Sequence, residues 1–443
     1  MLLKLASCEE GNIIKNHYPY FLSLALLILI TACDGRERRW SPPGPPDPRL
    51  LTSIPEGHHS HQATVTEDGQ KVVVSGGYES RLTPSQNVFT YDVYTRNTLD
   101  VAGMPIKADL FEPRALHAQA LVTTSGGAYA PRGSIVIVGG QSGDIFGPSV
   151  SATADVYVPA SPYNPNSDYF ISNLGNLKVP RKNHTITEIT DPSSFFYGHF
   201  LIVGGQNNSG AILSTAEIFD PGTGRFTYVN DRLIIAREEH TAVALKTGKV
   251  LIAGGNTQFG ATDTGEIFDP VTLTFTPVPN RMSDARRYHT ATYIDNKTPE
   301  SAADDAVLIA GGLDDRGFVL DSADFYDPFF ERFVPVGSRL PHGVFRHAAA
   351  ALPQSFFEDA AITGGFTDLN FSNTLRSNPT EQVVIFNYMY TGGRPDGYFV
   401  RTTNMLRARA LHTTNHVKQR ALLTIGGVDI FGDPRSTAEE FNY

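Results

Sequence analysis

The chain has 443 residues, a net charge of −10 and two cysteines, Cys8 and Cys33, so residues after Cys33 form no disulfide with one another. The acidic balance weighs against nucleic acid as a partner, because domains that bind it carry a basic excess. Gly 40, Pro 29, 19% charged residues and short apolar runs without helical periodicity beyond the N-terminus indicate one large all-β domain.

The first element is an apolar segment with the features of a secretion signal. Residues 19–32 read PYFLSLALLILITA and directly precede Cys33. About a dozen apolar residues are too few for a membrane span, which needs roughly 20, but they suit a signal-peptide core. The ending LITAC resembles the bacterial lipobox, in which small residues precede a lipidated cysteine. We predict a signal peptide over residues 1–32 and lipidation of Cys33; the alternative is a signal or membrane anchor with a coincidental cysteine.

A proline-rich segment, DGRERRWSPPGPPDP, follows this cysteine over residues 34–48. Such segments stay extended, at about 3.1 Å per residue, and act as semi-rigid spacers. We interpret residues 33–48 as a lipidated tether. The domain behind the tether is then expected in the bacterial cell envelope, facing the periplasm or the cell exterior.

A run of apolar residues that ends in two glycines recurs seven times after the tether. The copies are about 58 residues apart, and such a period indicates a repeat architecture. A histidine stands upstream of each pair, and an aromatic residue, often followed by Asp-Pro, stands downstream. In five copies an arginine precedes the histidine by three residues. The first glycines are residues 76, 139, 204, 254, 311, 364 and 426.

The copy from His240 to Val278 reads as four short strands. HTAVAL is followed by the turn KTGK and by VLIAGG, whose continuous apolar run is typical of a strand buried on both faces. EIFDP and TFTPV supply the third and fourth strands, and proline presets φ for the turn between them. Seven copies of four antiparallel strands describe a seven-bladed β-propeller, predicted over residues 49–443.

The seventh copy ends after its third strand, EEFNY. The segment RLLTSI, residues 49–54, precedes the first copy and belongs to no complete blade. An open sheet edge is a pairing template that proteins avoid. We therefore predict that residues 49–54 supply the missing strand and that the ring closes by pairing the two ends of the chain.

The apolar run ending in Gly-Gly, with its later aromatic-Asp pair, resembles the kelch repeat, and the resemblance covers roughly residues 50–443. Kelch repeats often carry tryptophan on the fourth strand, but here other residues fill that place: Leu99, Phe170, Phe226, Phe275, Phe333 and Phe399. Galactose oxidase, a relative in fold, needs copper and a cysteine cross-linked to tyrosine, which a propeller without cysteine cannot provide. Some periplasmic kelch propellers are sugar mutarotases, but no single arginine or glutamate stands out from the repeat pattern here.

The recurring polar residues are interpreted first as parts of the fold. A phosphate loop leads into a helix, whereas each glycine pair here precedes a strand. Seven histidines spaced one blade apart cannot share one ion, so we expect them to pack or to form hydrogen bonds. The HHSH cluster, residues 58–61, is expected at a solvated strand entry.

The repeat arginines have two interpretations. They either pair with acidic residues of the third strand, such as Glu217, Glu266, Asp324 and Glu439, or leave a positive mouth for an anionic ligand. The candidate binding residues on the second interpretation are Arg114, Arg181, Arg237, Arg286 and Arg409.

These features favour a membrane-anchored, extracytoplasmic binding scaffold over an enzyme. Loops after the glycine pairs vary in length and chemistry, and variable loops on a rigid scaffold commonly carry binding. The expected partner is a protein or a glycan, and a monomer without cofactor, metal or assigned catalytic residues is expected. The alternative is a periplasmic carbohydrate-active enzyme such as a sugar mutarotase.

Overall fold

A computed structural model describes residues 50–79, 83–100, 109–143, 149–160, 168–295, 304–353, 358–369, 377–391, 393–418 and 421–442. The predicted signal peptide and tether, including Cys33, lie outside these ranges. Within them the chain forms thirty β-strands and no α-helix, as expected for an all-β protein. None of the described residues belongs to a helix with the length and apolar character needed to cross a membrane.

Twenty-eight of these strands form seven antiparallel sheets of four, called blades 1 to 7, which confirms the predicted seven-bladed propeller. Blades 1 to 3 are β2 (Gln62–Val65), β3 (Lys71–Ser75), β4 (Val88–Asp92), β5 (Thr98–Asp100); β6 (Ala118–Leu121), β7 (Ile135–Val138), β8 (Thr153–Val158), β9 (Tyr169–Asn176); and β10 (Thr185–Glu188), β11 (Phe200–Val203), β12 (Ala216–Asp220), β13 (Arg225–Tyr228).

Blade 4 carries an additional hairpin, β16 and β17, between its second and third strands. Blades 4 and 5 are β14 (Thr241–Ala244), β15 (Val250–Ala253), β16 (Asn256–Thr257), β17 (Gly260–Ala261), β18 (Gly265–Asp269), β19 (Thr274–Pro277); and β20 (Thr290–Ile294), β21 (Ala306–Ala310), β22 (Ala323–Asp327), β23 (Arg332–Pro335). Blades 6 and 7 are β24 (Ala348–Pro353), β25 (Glu358–Thr363), β26 (Gln382–Thr391), β27 (Arg394–Asn404); and β28 (Thr413–Lys418), β29 (Ala421–Ile425), β30 (Thr437–Asn442), with β1 (Leu50–Ser53).

The first strands of the blades surround the axis of the propeller. Each contacts the first strands of the two neighbouring blades, and β28 of blade 7 contacts β2 of blade 1. The second strands lie one position further out and are buried throughout in β7, β11, β15 and β21, because both of their faces pack against adjacent blades. Their continuous apolar sequence follows from this two-sided burial.

Aromatic pairs replace the tryptophan expected on the fourth strand of a kelch blade. Phe226 lies directly across from Phe219 of the third strand, with ring centroids 4.9 Å apart. Phe275 and Phe268 repeat this arrangement in blade 4 at the same distance. Offset aromatic pairs of this kind contribute about 0.5–1.5 kcal/mol beyond their buried area, so the outer strand stays packed without an indole ring.

The strand β1 forms the outer edge of blade 7. It pairs antiparallel with β30, with Leu50 opposite Glu439 and Ser53 opposite Thr437, and the Ile54 amide donates to the Ser436 carbonyl at 3.0 Å. It takes the place of a fourth strand beside β28, β29 and β30. That the ring depends on this pairing for its stability stays a prediction.

Alternating strand direction divides the loops between two faces of the propeller. The loops from second to third strands and the links from one blade to the next emerge on the same side, which we call the front face. The hairpins between first and second strands and between third and fourth strands emerge on the opposite side, the back face. The repeat histidines stand where each first strand begins, so they lie toward the front face.

Candidate functional site

The glycine pair that ends each second strand makes room for two histidines. In blade 4, Gly254 and Gly255 have φ angles of 59° and 102°, which favour glycine. A Cβ on Gly254 would lie 2.5 Å from Cε1 of His289 in the next blade, and a Cβ on Gly255 would lie 2.8 Å from Cβ of His240. Equivalent contacts recur in all seven blades. The glycine pairs therefore serve the packing of the blades.

Each repeat histidine lies at the boundary between its own blade and the preceding one. In six blades its Nε2 atom lies 2.8–3.1 Å from a hydroxyl of that preceding blade, as His240 does with Thr185 at 3.0 Å. His184 differs, because Ala118 stands where a threonine would reach it, and both of its ring nitrogens are buried without a partner. The histidines thus form hydrogen bonds between blades.

Burial keeps these seven histidines neutral. It lowers the pKa of His61, His240 and His347 to about 3. Burial also lowers the pKa well below its usual value for His117, His184, His289 and His412. In the part of the chain that the structure describes, no group of three or more histidine, cysteine, aspartate or glutamate side chains is placed to hold a metal ion.

The expectation of a solvated HHSH cluster is wrong. His58, His59 and His61 are only 1–3% exposed, because the segment that carries them passes between blades 7 and 1. The His58 ring packs against Phe89, with ring centroids 5.7 Å apart, and the His59 ring packs against Tyr78, with ring centroids 5.2 Å apart.

The five repeat arginines are buried and join the second and third strands of their own blade. In blade 3, Arg181 donates from Nη1 to the carbonyls of Gly204 at 2.8 Å and Thr215 at 3.0 Å. Its Nη2 donates to Glu217 Oε1 at 2.8 Å. The corresponding ion pairs are Arg114–Asp155, Arg237–Glu266 and Arg286–Asp324, each at 2.8 Å, and Arg409–Glu439 at 3.4 Å.

These contacts bear directly on the two interpretations of the arginines. All five side chains are 0–1% exposed, so their guanidinium groups present no surface to a ligand in this structure. The ion pairs are those expected from the first interpretation, and burial raises the pKa of Asp155 and Asp324. A ligand-binding role for the arginines stays an untested prediction.

The residue directly before each repeat histidine lies at the front mouth of the propeller axis. All seven are non-glycine residues in the left-handed region, with φ between 51° and 57°, a conformation that costs L-residues roughly 1–2 kcal/mol. Their backbones form hydrogen bonds from blade to blade, as in the Asn183 amide to the Leu116 carbonyl at 3.0 Å. The seven residues are Ser60, Leu116, Asn183, Glu239, Tyr288, Arg346 and Leu411.

The side chains of this ring and the repeat histidines line a cavity of about 260 Å³, which we call the axial cavity. Three consecutive ring members carry large polar or charged side chains: Glu239, Tyr288 and Arg346. The guanidinium carbon of Arg346 lies 3.8 Å from the centroid of the Tyr288 ring. Glu239 Oε2 and Arg346 Nε are buried without hydrogen-bond partners.

The environment of the axial cavity shifts the titration of these groups. Burial raises the pKa of Glu239, and the charges of Arg346 and Arg287 oppose that rise. Burial likewise raises the pKa of Tyr288 to about 12. A cavity lined by groups with shifted pKa values is typical of a functional site.

A second carboxylate, Glu238, has its own partners at the edge of the axial cavity. It accepts hydrogen bonds from the side-chain amides of Asn183 at 3.0 Å, Gln206 at 3.2 Å and Asn256 at 3.3 Å. Arg287 donates to the amide oxygen of Asn256 at 3.3 Å. Three neutral amides therefore provide hydrogen-bond donors to the Glu238 carboxylate.

Three front-face loops present an exposed phenylalanine in the same way. Phe259, Phe318 and Phe431 are 86%, 61% and 63% exposed. In each loop a side chain at the start of the turn accepts a hydrogen bond from the phenylalanine amide at 2.8–3.0 Å. The acceptors are Thr257 Oγ1, Asp314 Oδ1 and Asp429 Oδ1, in the order of the loops.

Comparison with known proteins agrees with this architecture. A family model described as the kelch motif matches residues 193–232. A fungal alcohol oxidase of the AA5 family, solved in complex with copper, aligns with 90% of this chain and 76% of its own, at 16% identity and a TM-score of 0.62. The structure of YjhT aligns with 89% of this chain and 97% of its own, at 13% identity and a TM-score of 0.48. No match was found among the curated proteins.

The chain is thus a seven-bladed β-propeller that carries a kelch motif over residues 193–232, in agreement with the resemblance of its repeats. The residues of the axial cavity do not fit the copper site of a galactose oxidase. The chain has no cysteine after residue 33, and six of the seven histidines bond to hydroxyls between blades.

The repeats share no residue at the ring position, so the repeat pattern assigns no role to Glu239 or Arg346 there. Glu239 and Arg346 occupy ring positions that hold serine, leucine or asparagine in four other blades. Because these residues are not shared between the repeats, only the position directly before each repeat histidine marks them in the sequence.

Proposed function

We propose that the chain is a membrane-anchored, extracytoplasmic kelch propeller that binds a protein or glycan partner through its front face. The observation that carries this proposal is the set of exposed phenylalanines on three anchored front-face loops. A hydrogen bond at the start of each turn restricts the loop before a partner arrives. A restricted loop loses less conformational entropy on binding, which favours affinity.

The anchoring part of the proposal rests on the sequence around Cys33 and on the direction of β1. This strand runs from the back face toward the front face, because its end leads into His61 at the start of β2. Leu50 therefore lies at the back-face end of β1. We propose that lipidation of Cys33 holds the propeller in the cell envelope through the residues that precede this strand.

Site-specific photo-crosslinking tests the proposed binding face. A benzophenone amino acid would replace Phe259 or Phe318 in cells that produce the protein. The matched control is Phe195, which is 89% exposed but lies on the back-face hairpin between β10 and β11. We expect light-dependent adducts of one partner at positions 259 and 318 and none at position 195.

The loop anchors provide a second measurement. Asp314→Ala should weaken partner binding without removing any exposed contact, because it releases the amides of Arg316 and Phe318. Equal adducts from both faces, or no adduct at positions 259 and 318, would contradict the proposed front-face site.

A further inference from the structure

The side chain of Arg346 is not explained by the architecture of the propeller. The ring at the axial mouth is built from backbone groups, and the Arg346 amide donates to the Tyr288 carbonyl at 3.0 Å. Ser60 and Leu116 hold the equivalent position in blades 1 and 2 with nearly the same φ. A long cationic side chain is therefore not required to close the ring.

One hydrogen-bond donor of the Arg346 side chain has no acceptor among the described residues. Its guanidinium stacks on the Tyr288 ring at 3.8 Å, and a stacked guanidinium keeps its N–H donors in the plane of the group. The Nε donor is buried and has no partner. Unlike the Nε donors of the repeat arginines, this donor belongs to a residue that lines the axial cavity, so an acceptor bound there could pair with it.

Charge at the axial mouth favours an anionic acceptor. Arg346 lines the axial cavity, while Lys182 and Arg287 directly precede two of its lining residues. The neighbouring carboxylates are Glu238, which three neutral amides hold in place, and Glu239, so the three cations outnumber them. Burial raises the pKa of Glu239, which weakens its carboxylate as a counter-ion.

The remaining lining favours an organic anion over an inorganic one. Leu116, Leu411 and the Tyr288 ring supply apolar surface in the same cavity. A planar carboxylate matches the fork of an arginine with two parallel hydrogen bonds. We propose that the axial cavity binds a small organic carboxylate, with Arg346 holding the carboxylate and the Tyr288 ring and two leucines contacting its apolar part. This site is separate from the front-face phenylalanines.

Calorimetry on the full chain with benzoate and benzamide tests the proposal. The two probes are nearly equal in size and shape but differ in charge. We expect saturable binding of benzoate. Benzamide should bind at least roughly tenfold more weakly, because charge-assisted hydrogen bonds are about twice as strong as neutral ones. Inorganic phosphate serves as a third probe, and preferential binding of phosphate would overturn the assignment to a carboxylate.

Two substitutions locate the site. Arg346→Met should reduce benzoate affinity roughly tenfold or more, since removing one partner of a charge-assisted pair costs at least ~1.5 kcal/mol. Arg316→Met is the matched control, because Arg316 also stacks on a front-face aromatic ring, Phe318 at 5.0 Å, but is exposed. Arg346→Lys keeps the positive charge but loses the paired N–H donors of the guanidinium. This variant replaces Arg346→Met in the test if Arg346→Met does not fold. Equal affinity for benzoate and benzamide, no binding of either, or equal loss in the Arg346 and Arg316 variants would overturn the proposal.

Discussion

Mild acid should unfold this propeller, because its seven repeat histidines are buried in the neutral form. An unfolded histidine has a pKa near 6.5, whereas burial lowers the folded value to about 3 for His61, His240 and His347. Below pH 6.5 the unfolded chain therefore binds protons that the folded chain does not. The stability from these groups is present above pH 6.5 and is lost as the pH falls below it.

The magnitude follows from the size of the pKa differences. At pH 5.5, one pH unit below the unfolded pKa, each histidine removes about 1.4 kcal/mol of stability relative to neutral pH. Seven such groups together remove on the order of 10 kcal/mol, which matches the total stability of about 5–15 kcal/mol that is usual for folded proteins. The ring is therefore expected to be at the edge of unfolding near pH 5.5.

Urea unfolding followed by circular dichroism at pH 7.5, 6.5 and 5.5 measures this dependence. The free energy of unfolding should fall steeply between the last two values. In His240→Gln the slope of the free energy of unfolding against pH should be smaller by the contribution of one proton, about 1.4 kcal/mol per pH unit. A free energy of unfolding that differs by less than about 2 kcal/mol between pH 7.5 and 5.5 would refute this account of the histidines.

Three further predictions concern the anchor, the closing strand and the buried ion pairs. Metabolic labelling with a fatty acid should mark the wild-type chain but not Cys33→Ser, and equal labelling would exclude lipidation at that residue. Deleting residues 48–56 should lower the Tm of the whole propeller, because it exposes the edge of β30; an unchanged Tm would contradict closure there. Arg237→Met should cost about 3–5 kcal/mol by leaving the Glu266 carboxylate buried and unpaired. The exposed pair of Arg281 and Asp263 is the control, and Arg281→Met should cost no more than about 1 kcal/mol.

A test with both Arg237 and Arg286 substituted separates the two interpretations of the repeat arginines. Loss of stability supports their role in holding the second and third strands together. Intact folding with lost partner binding would instead support a role in ligand binding. Intact folding with unchanged binding would contradict both interpretations.

The architecture could be predicted from the repeats in the sequence, because each blade repeats the same local interactions. The glycine pairs, the repeat histidines and the paired arginines recur at equivalent positions, and contacts within a blade or between adjacent blades account for them. Residues 49–54 could also be matched to the truncated seventh copy, since a four-stranded pattern leaves one position empty. The number of blades and the order of strands could therefore be predicted from the repetition in the sequence.

Only the tertiary structure brought Glu239, Tyr288 and Arg346 together. Each is separated from the next by a whole blade of sequence, so no local motif contains two of them. Their proximity arises because the first strands of successive blades converge on one axis, where the ring backbone turns each side chain toward the same cavity. The burial of the HHSH segment has a similar origin, since its environment is supplied by blades 7 and 1 at opposite ends of the chain. Positions that the repeats share can be recognised from the sequence. The axial cavity is lined by residues that differ between the repeats, so its chemistry depends on which of these residues the ring brings together.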